Sequence, residues 1–450
     1  MLRWALLRIV GRPNPESVTK QHDIVEELVE EVVEVTTAGL VPPPAHGTFS
    51  PFRYPVFRAI WIANLFSNLG STLQSVGAAW LMTELTPSHQ LVALVQASAT
   101  VPIMLLGVFA GAIADNYDRR LVMLVSQVGM LTVSALLAVM AYAGWLTPFL
   151  LLAFTLGVGT GTALNSPAWQ ASVRQQVDPE QLPQAIALNS ISFNIARSIG
   201  PALGGLLISI WNPAFAFAIN AISYIGLIGV LLWWKPEART INVRPILPAV
   251  GAGIAFCVRS VPLRRILIRG FALGFCLATF QSLLPGLVHD SIHGKELDYG
   301  IMLGLFGIGS ILAAPMIGPI RRRLGLEGIL ILGSSLYISA LLIAAVGHSL
   351  PAVMPAAFLA GVSWVLILTT INTAVQMRSP DEVLGRCLSI YQAVTFGGMA
   401  LGAWTWGSVA DWKGIPFALH GGAAALFVSF LVLRFLAPMP RPGEGVLRPR

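Results

Sequence analysis

One residue stands out chemically. Arg197 lies in the apolar stretch 184–210, about 13 residues from the end near Gln184, or about 20 Å along a helix rising 1.5 Å per residue. A guanidinium that deep in a hydrocarbon environment costs several kcal/mol unless it is paired or wet. No Asp or Glu falls in the middle of any apolar stretch, so an ionic partner is missing. Two readings follow: Arg197 faces a water-filled cavity and meets a negative or electron-rich ligand group, or it is structural and bonds helix carbonyls or Asn194. A second group of polar residues interrupts other apolar stretches. Asn64 and Asn68, one turn apart on a shared face, stand with Gln74, Asn165, Gln281 and Asn372. They line a cavity or bond neighbouring helices.

Other reactive residue types form no convergent set. Among seven histidines, His289 and His293 have a spacing that a helix turns into a metal site, with Asp290, Glu296 and Asp298 nearby. Pro285 and Gly294 argue against a regular helix there, so a solvated loop is expected. Glu84 and Asp411 sit at helix ends as interfacial carboxylates. Cys257, Cys276 and Cys387 have no paired spacing, which speaks against a disulfide framework or metal centre. No phosphate-cradling Gly-x-x-x-x-Gly-Lys-Ser/Thr run occurs. Neither an enzyme nor an ATP-driven machine is suggested, and no cofactor or metal is implied.

These residues must be positioned by membrane helices. The chain of 450 residues is 55% hydrophobic and only 11% charged, against roughly 25% charged in soluble domains. Its mean hydropathy is +0.73. Apolar runs long enough to cross a ~30 Å hydrocarbon layer recur. They are unbroken, whereas a membrane β-barrel needs short alternating strands. Twelve spans are expected, over about 56–83, 91–113, 120–143, 148–171, 184–210 and 214–234, then 266–288, 299–320, 327–346, 351–375, 386–410 and 415–436. Lys and Arg gather at one face of this arrangement, at Arg53, Arg58, Arg119, Arg120, Arg174, Lys235, Arg321 to Arg323, Arg378, Arg386 and Arg434. Only Lys295 and Lys413 fall on the other. The bias puts both termini in the cytoplasm and accounts for the net charge of +7 without nucleic acid.

The organisation is a cytoplasmic tail over 1–50 with an acidic run and Pro42 to Pro44, a six-helix bundle over 51–234, a linker over 235–263, a second bundle over 264–437 and a tail over 438–450. The loop Val173 to Leu182, around Asp178-Pro179, has a counterpart in Gln376 to Arg386, around Pro380-Asp381, each followed by a Gly-rich span. Asp115 to Arg120 after the second span is mirrored by Arg321 to Arg323 after the eighth. Such duplication makes two bundles that rock about a midplane site.

Two motifs carry a family resemblance. Gly107-x-x-x-Gly111 followed by Asp115 and Arg119-Arg120 offers a close-packing face and a charged helix end; it resembles the signature loop of the major facilitator superfamily. Gly200-Pro201-x-x-Gly204-Gly205 removes side-chain bulk and a backbone donor; it is similar to the helix-bending motif of that superfamily's antiporters. From Pro51 to Trp412 the chain resembles the bacterial transmembrane secretion effector branch, in Pro51-Phe52-Arg53, Asn194 to Arg197, Pro262 to Arg265, Asn372 to Gln376 and Leu384 to Arg386. The resemblance implies an all-α major facilitator fold in a bacterial inner membrane and a monomer. It further implies secondary active transport of a small molecule (a siderophore, drug or other metabolite) by alternating access, in the efflux direction and driven by proton antiport. An importer or facilitator on the same fold is the alternative. It places Asn64, Asn68, Asn165, Gln281 and Asn372 on cavity-lining helices, and makes Gly107 to Arg120 a conformational switch. Proton coupling is left without a carboxylate inside the membrane, so Asp115, Glu84 or a substrate group would have to serve.

Overall fold

The computed structural model describes residues 49–236, 246–380 and 383–439. Among them are twelve α-helices of 18 residues or more and one shorter α-helix. In chain order they are α1 (Pro55–Leu85), α2 (His89–Asn116), α3 (Arg119–Tyr142), α4 (Pro148–Ser172), α5 (Leu182–Ile210), α6 (Pro213–Trp233), the short α7 (Ile246–Arg259), α8 (Val261–Gly286), α9 (Glu296–Ala313), α10 (Ile317–Val346), α11 (Leu350–Arg378), α12 (Leu384–Lys413) and α13 (Ile415–Leu436). Every expected span meets a helix, with ends within a few residues except around α9 and α10. Nine segments of the described chain are long and apolar enough to cross a membrane, and one of them, Glu296–Val346, holds both α9 and α10. The protein is an all-α, multi-pass membrane protein.

Short, well-capped connections set the up-and-down course. Ser88 accepts the Leu91 amide, Asp118 those of Arg120 and Leu121, Thr147 that of Leu150 and Asn212 that of Phe215, so each turn satisfies helix-end donors that lipid cannot. Proline occupies the first turn of α1, α4, α5, α6, α8, α11 and α13, where its missing amide hydrogen costs nothing. Large apolar side chains such as Val125, Val139, Phe149, Ile222, Phe427 and Phe435 stand exposed on the outside. In lipid such a perimeter is solvated rather than a liability.

Two local features depart from expectation. The linker expected over 235–263 contains α7, beside which Arg386 of α12 lies against Gly253. The expected break between spans eight and nine also shifts: α10 starts at Ile317 and reverses inside at Gly325 (φ 68°, ψ −177°). Glycine tolerates that left-handed φ without the Cβ clash other residues meet. Arg321 to Arg323 thereby lie just before the reversal, at the end that also holds Arg119 and Arg120. We call it the basic end and its opposite the distal end.

The two halves do not meet evenly. At the distal end, Asp411 of α12 accepts hydrogen bonds from the Ser88 hydroxyl (2.8 Å) and the backbone amides of His89 (2.5 Å) and Gln90 (3.2 Å) at the start of α2. The Trp80 ring of α1 stacks on Tyr299 of α9 at 6.1 Å. Gly205 of α5 lies so close to α9 that a Cβ there would come within 2.6 Å of the Glu296 carbonyl oxygen. Toward the basic end, among the described residues, a Cβ on Gly107 would meet only Ile103 of its own helix, and Gly111 and Gly385 have no neighbour within 4 Å. The close backbone interlock between the halves thus lies distally. Residues 1–48, 237–245, 381–382 and 440–450 lie outside the described residues, and with them the expected acidic tail.

Candidate functional site

Between the halves lies a cavity of about 970 Å³. Its walls run from Tyr299, Phe306 and Trp364 at the closed end to Gln170, Arg174 and Leu182 toward the basic end. Of the residues singled out in the sequence, Arg197, Asn64, Asn68, Asn165 and Gln281 line it together. Asn372 is not among the lining residues; its side-chain oxygen accepts from Gln376, one turn along α11. Gln74 has a different task. Its amide oxygen accepts from Ser134 of α3 (2.8 Å) and Asn220 of α6 (2.7 Å), which binds three helices of the first half.

Arg197 is placed by the shape of α5. Pro201 has no amide hydrogen to give the Arg197 carbonyl four residues earlier, so that carbonyl leaves the helix ladder. Gly307 of α9 passes beside it, close enough that a Cβ on Gly307 would lie 3.0 Å from the Arg197 oxygen. Gly200 and Gly204 press the other face of α5 onto α1, where Cβ atoms would come within 2.8 Å of Thr72 and 3.1 Å of Val76. Pro201 therefore lies where α5 touches both halves. From there the guanidinium reaches across to the second half, 5.7 Å from the Phe306 ring centre and 5.5 Å from that of Trp364. The two rings are edge-to-face at 5.8 Å. Aromatic faces stabilise a cation but accept none of its five directional N–H bonds as a carboxylate would.

Asn194 gives its amide to the Ser190 carbonyl (2.8 Å) on its own helix, and among the described residues no hydrogen bond joins it to Arg197. Only arginines, Arg174 and Arg197, bring charge to the described lining, where amides and hydroxyls make up the polar part. The side-chain oxygens of Asn165, Gln127 and Asn189 are buried without a hydrogen-bond partner among the described residues. The arrangement is cationic at its closed end and rich in uncommitted hydrogen-bonding groups along its walls. The guanidinium fits an anionic group, and the uncommitted amide oxygens fit hydrogen-bond donors on the same ligand.

In this conformation two arginines of the signature loop hold the ends of neighbouring helices. Arg119 donates to the Ala171 carbonyl of α4 (2.7 Å), and Arg120 to the Leu231 and Leu232 carbonyls of α6 (2.7 and 3.0 Å). These bonds satisfy helix C-terminal oxygens and add charge favourable to the helix dipole. The side chain of Asp115 lies outside the described residues.

Three features escaped the sequence reading. Arg269, within the expected span 266–288, is a second arginine in an apolar helix. It is buried, pairs with Glu327 at 2.9 Å and donates to the Ala437 and Leu433 carbonyls. It follows Arg264 and Arg265 by five and four residues and was not singled out in the sequence. Asp411, read as merely interfacial, bridges the halves. The expected solvated loop at His289 instead packs against the first half. Its helix widens into a π turn over Leu287–Ser291, and the His289 ring lies edge-on to Trp80 at 5.6 Å. Pairings across the chain leave no local signal in sequence, which is why each was missed.

The family model described as transmembrane secretion effector matches residues 46–444. The chain is 28% identical over 360 residues to the staphyloferrin A transporter of Staphylococcus aureus, covering 78% of this chain and 89% of that one. It is 27% identical over 409 residues to the enterobactin exporter of Shigella boydii, covering 86% and 93%. In three dimensions it resembles an auto-inhibited peptide transporter of the POT family, at a TM-score of 0.71 and 14% identity, over 88% of this chain and 98% of that one. Twelve long helices around a cavity between two halves, and a family match over nearly the whole chain, lead to one assignment: the protein is a secondary transporter belonging to the transmembrane secretion effector family of the major facilitator superfamily.

Proposed function

We propose that the protein exports an anionic, oxygen-rich small molecule of the siderophore type by alternating access, with protons moving the opposite way. The observation that carries this reading is Arg197, an arginine held against Phe306 and Trp364 in an otherwise uncharged stretch of cavity wall. Siderophores chelate iron through acidic oxygens, and an anionic oxygen is the ligand a guanidinium in that position lacks. The curated relatives that move staphyloferrin A and enterobactin favour the same class. The Gly200 to Gly205 run, shared in kind with antiporters, favours efflux.

In this reading the two six-helix halves are the moving bodies. The bacterial inner membrane holds the chain with the basic end and both termini in the cytoplasm, following the Lys and Arg bias. The conformation open at the basic end is then the loading state. The substrate enters past Arg174, reaches Arg197, and is released when the distal contacts part and the basic end closes. The described lining carries no carboxylate to repel an anion.

The test compares spent-medium metabolites of cells lacking the protein with those of cells restored with the wild type, Arg197→Ala or Arg197→Lys. Restoration by the wild type and loss by Arg197→Ala, with partial recovery by Arg197→Lys, is expected. An unchanged apparent KM in both variants would remove Arg197 from the binding site.

A further inference from the structure

Polar groups of the cavity wall fall at two levels. Arg197 marks one, against Phe306 and Trp364. The other lies nearer the basic end, where Gln127 of α3, Asn165 of α4 and Asn189 of α5 bring side-chain oxygens that are buried and without a hydrogen-bond partner among the described residues. Packing sets their common level. Met123 of α3, Ala168 of α4 and Ala63 of α1 share one buried cluster, and Gln127 and Asn165 each follow it by about one turn toward the distal end. Gly161 lets α3 come close to α4, since a Cβ there would strike Met130, and Thr162 donates to the Met130 sulfur at 3.7 Å. The Trp61 indole N–H bonds to the Leu188 carbonyl at 2.9 Å, which holds the Asn189 stretch of α5 beside α1. From Asn189 to Arg197 the helix climbs eight residues, or about 12 Å.

Gln127 is the informative member. It is 2% exposed, and α3 gives only Gln127 and Met130 to the described lining. A buried amide is ordinarily bonded within the protein, as Gln74 is, whose oxygen accepts from Ser134 and Asn220. Gln127 is equally buried, and its oxygen has no donor among the described residues. On the opposite wall, Phe306 and Trp364 stand at the Arg197 level, with Leu303, Tyr299 and Gln281 beyond it toward the distal end. Among the described lining residues the amide level therefore belongs to the first half alone.

We infer that Gln127, Asn165 and Asn189 form a second subsite, which takes hydroxyl or amide N–H donors of the substrate about 12 Å from the anionic group held at Arg197. This rests on the anion reading above and adds to it the substrate's length and its second functional group. The substrate class is an elongated molecule with an acid at one end and hydrogen-bond donors at the other. A compact anion meets Arg197 but leaves the amides unmatched. Sites built to bond a substrate's hydroxyl or N–H groups discriminate strongly against analogues that lack them. Gln127 is thus a specificity-determining residue supplied by α3.

The experiment is titration calorimetry on full-length protein in lipid nanodiscs with three carboxylate probes. N-gluconoyl-6-aminohexanoate carries hydroxyls far from its carboxylate, gluconate carries them close to it, and N-hexanoyl-6-aminohexanoate is long but has no hydroxyls. The wild type is expected to bind the first most tightly. Gln127→Met should weaken that probe by about 2- to 10-fold, the loss of one hydrogen bond, and leave the other two and the melting temperature unchanged. Gln127→Glu, which keeps an acceptor oxygen, should preserve the preference. Equal wild-type affinity for all three probes, no saturable binding of the first, a loss in Gln127→Glu equal to that in Gln127→Met, or a marked fall in melting temperature in both variants overturns the second subsite. Arg197→Ala should weaken all three probes. If it weakens none while Gln127→Met still removes the hydroxyl preference, the anion reading fails and the amide subsite stands.

Discussion

Gly205→Ala separates a gate defect from a folding defect. The new methyl would lie 2.6 Å from the Glu296 carbonyl oxygen, 2.9 Å from the Gly300 Cα and 3.1 Å from its nitrogen, where ordinary contact begins near 3.4 Å. All three atoms are backbone, so no side chain can swing aside, and α5 and α9 must separate by the better part of an ångström. Overpacking of this kind costs about 1–3 kcal/mol. Because the contact joins opposite halves, the cost falls on the distal-shut conformation and vanishes when the halves part. The shut-to-open equilibrium should therefore move toward open by about 5- to 150-fold, read as growth of the long distance between labels at Ala143 and His348. Gly361→Ala is the control. Its methyl would strike the Phe306 carbonyl between α9 and α11, both in the second half, so it should lower thermal stability without moving the gate. If Gly205→Ala loses stability as Gly361→Ala does, and the distal distance stays short, the view of this contact as a gate is wrong.

Three further expectations follow from named contacts. Asp411→Asn should keep the fold but weaken the clasp on the first turn of α2, where a carboxylate serves three donors; a loss of about 1 kcal/mol, or roughly fivefold more distal-open protein, is expected in the same distance measurement. Arg269→Met should lower thermal stability by about 1.5–3 kcal/mol, because Glu327 and two helix-end carbonyls lose their donor, and Arg269→Met combined with Glu327→Gln should recover part of it. Gln74→Leu should cost about 1–3 kcal/mol by orphaning the Ser134 and Asn220 donors, while transport KM stays at its wild-type value; a raised KM with unchanged stability would move Gln74 into the binding site.

Helix positions were legible because apolar length is a local property, and lipid leaves no backbone arrangement other than the helix for such runs. Arg197 was legible for the same reason, since a charge in an apolar run has no ordinary explanation. Asn64, Asn68, Asn165 and Gln281 share its cavity, yet Gln74, of the same type and on the same helix as Asn64, is spent on interhelical bonds. Residue type shows that a polar group must be satisfied; only the neighbouring helix decides by what. The helix inside the expected linker was missed because α7 follows a basic, Pro-bearing stretch that reads as a connector. The distal contacts of Ser88 and His89 with Asp411, and of Trp80 with Tyr299, join residues hundreds of positions apart and leave no local signal.

The most direct test of two halves exposing one cavity to each side in turn is labelling of a single cysteine at Gln281, in the cavity wall, with a membrane-impermeant maleimide. In the otherwise cysteine-free protein, Gln281→Cys should react from the basic side and be shielded from the distal side. With Gly205→Ala added, it should become reactive from the distal side. Reaction confined to one side in both backgrounds would contradict the account.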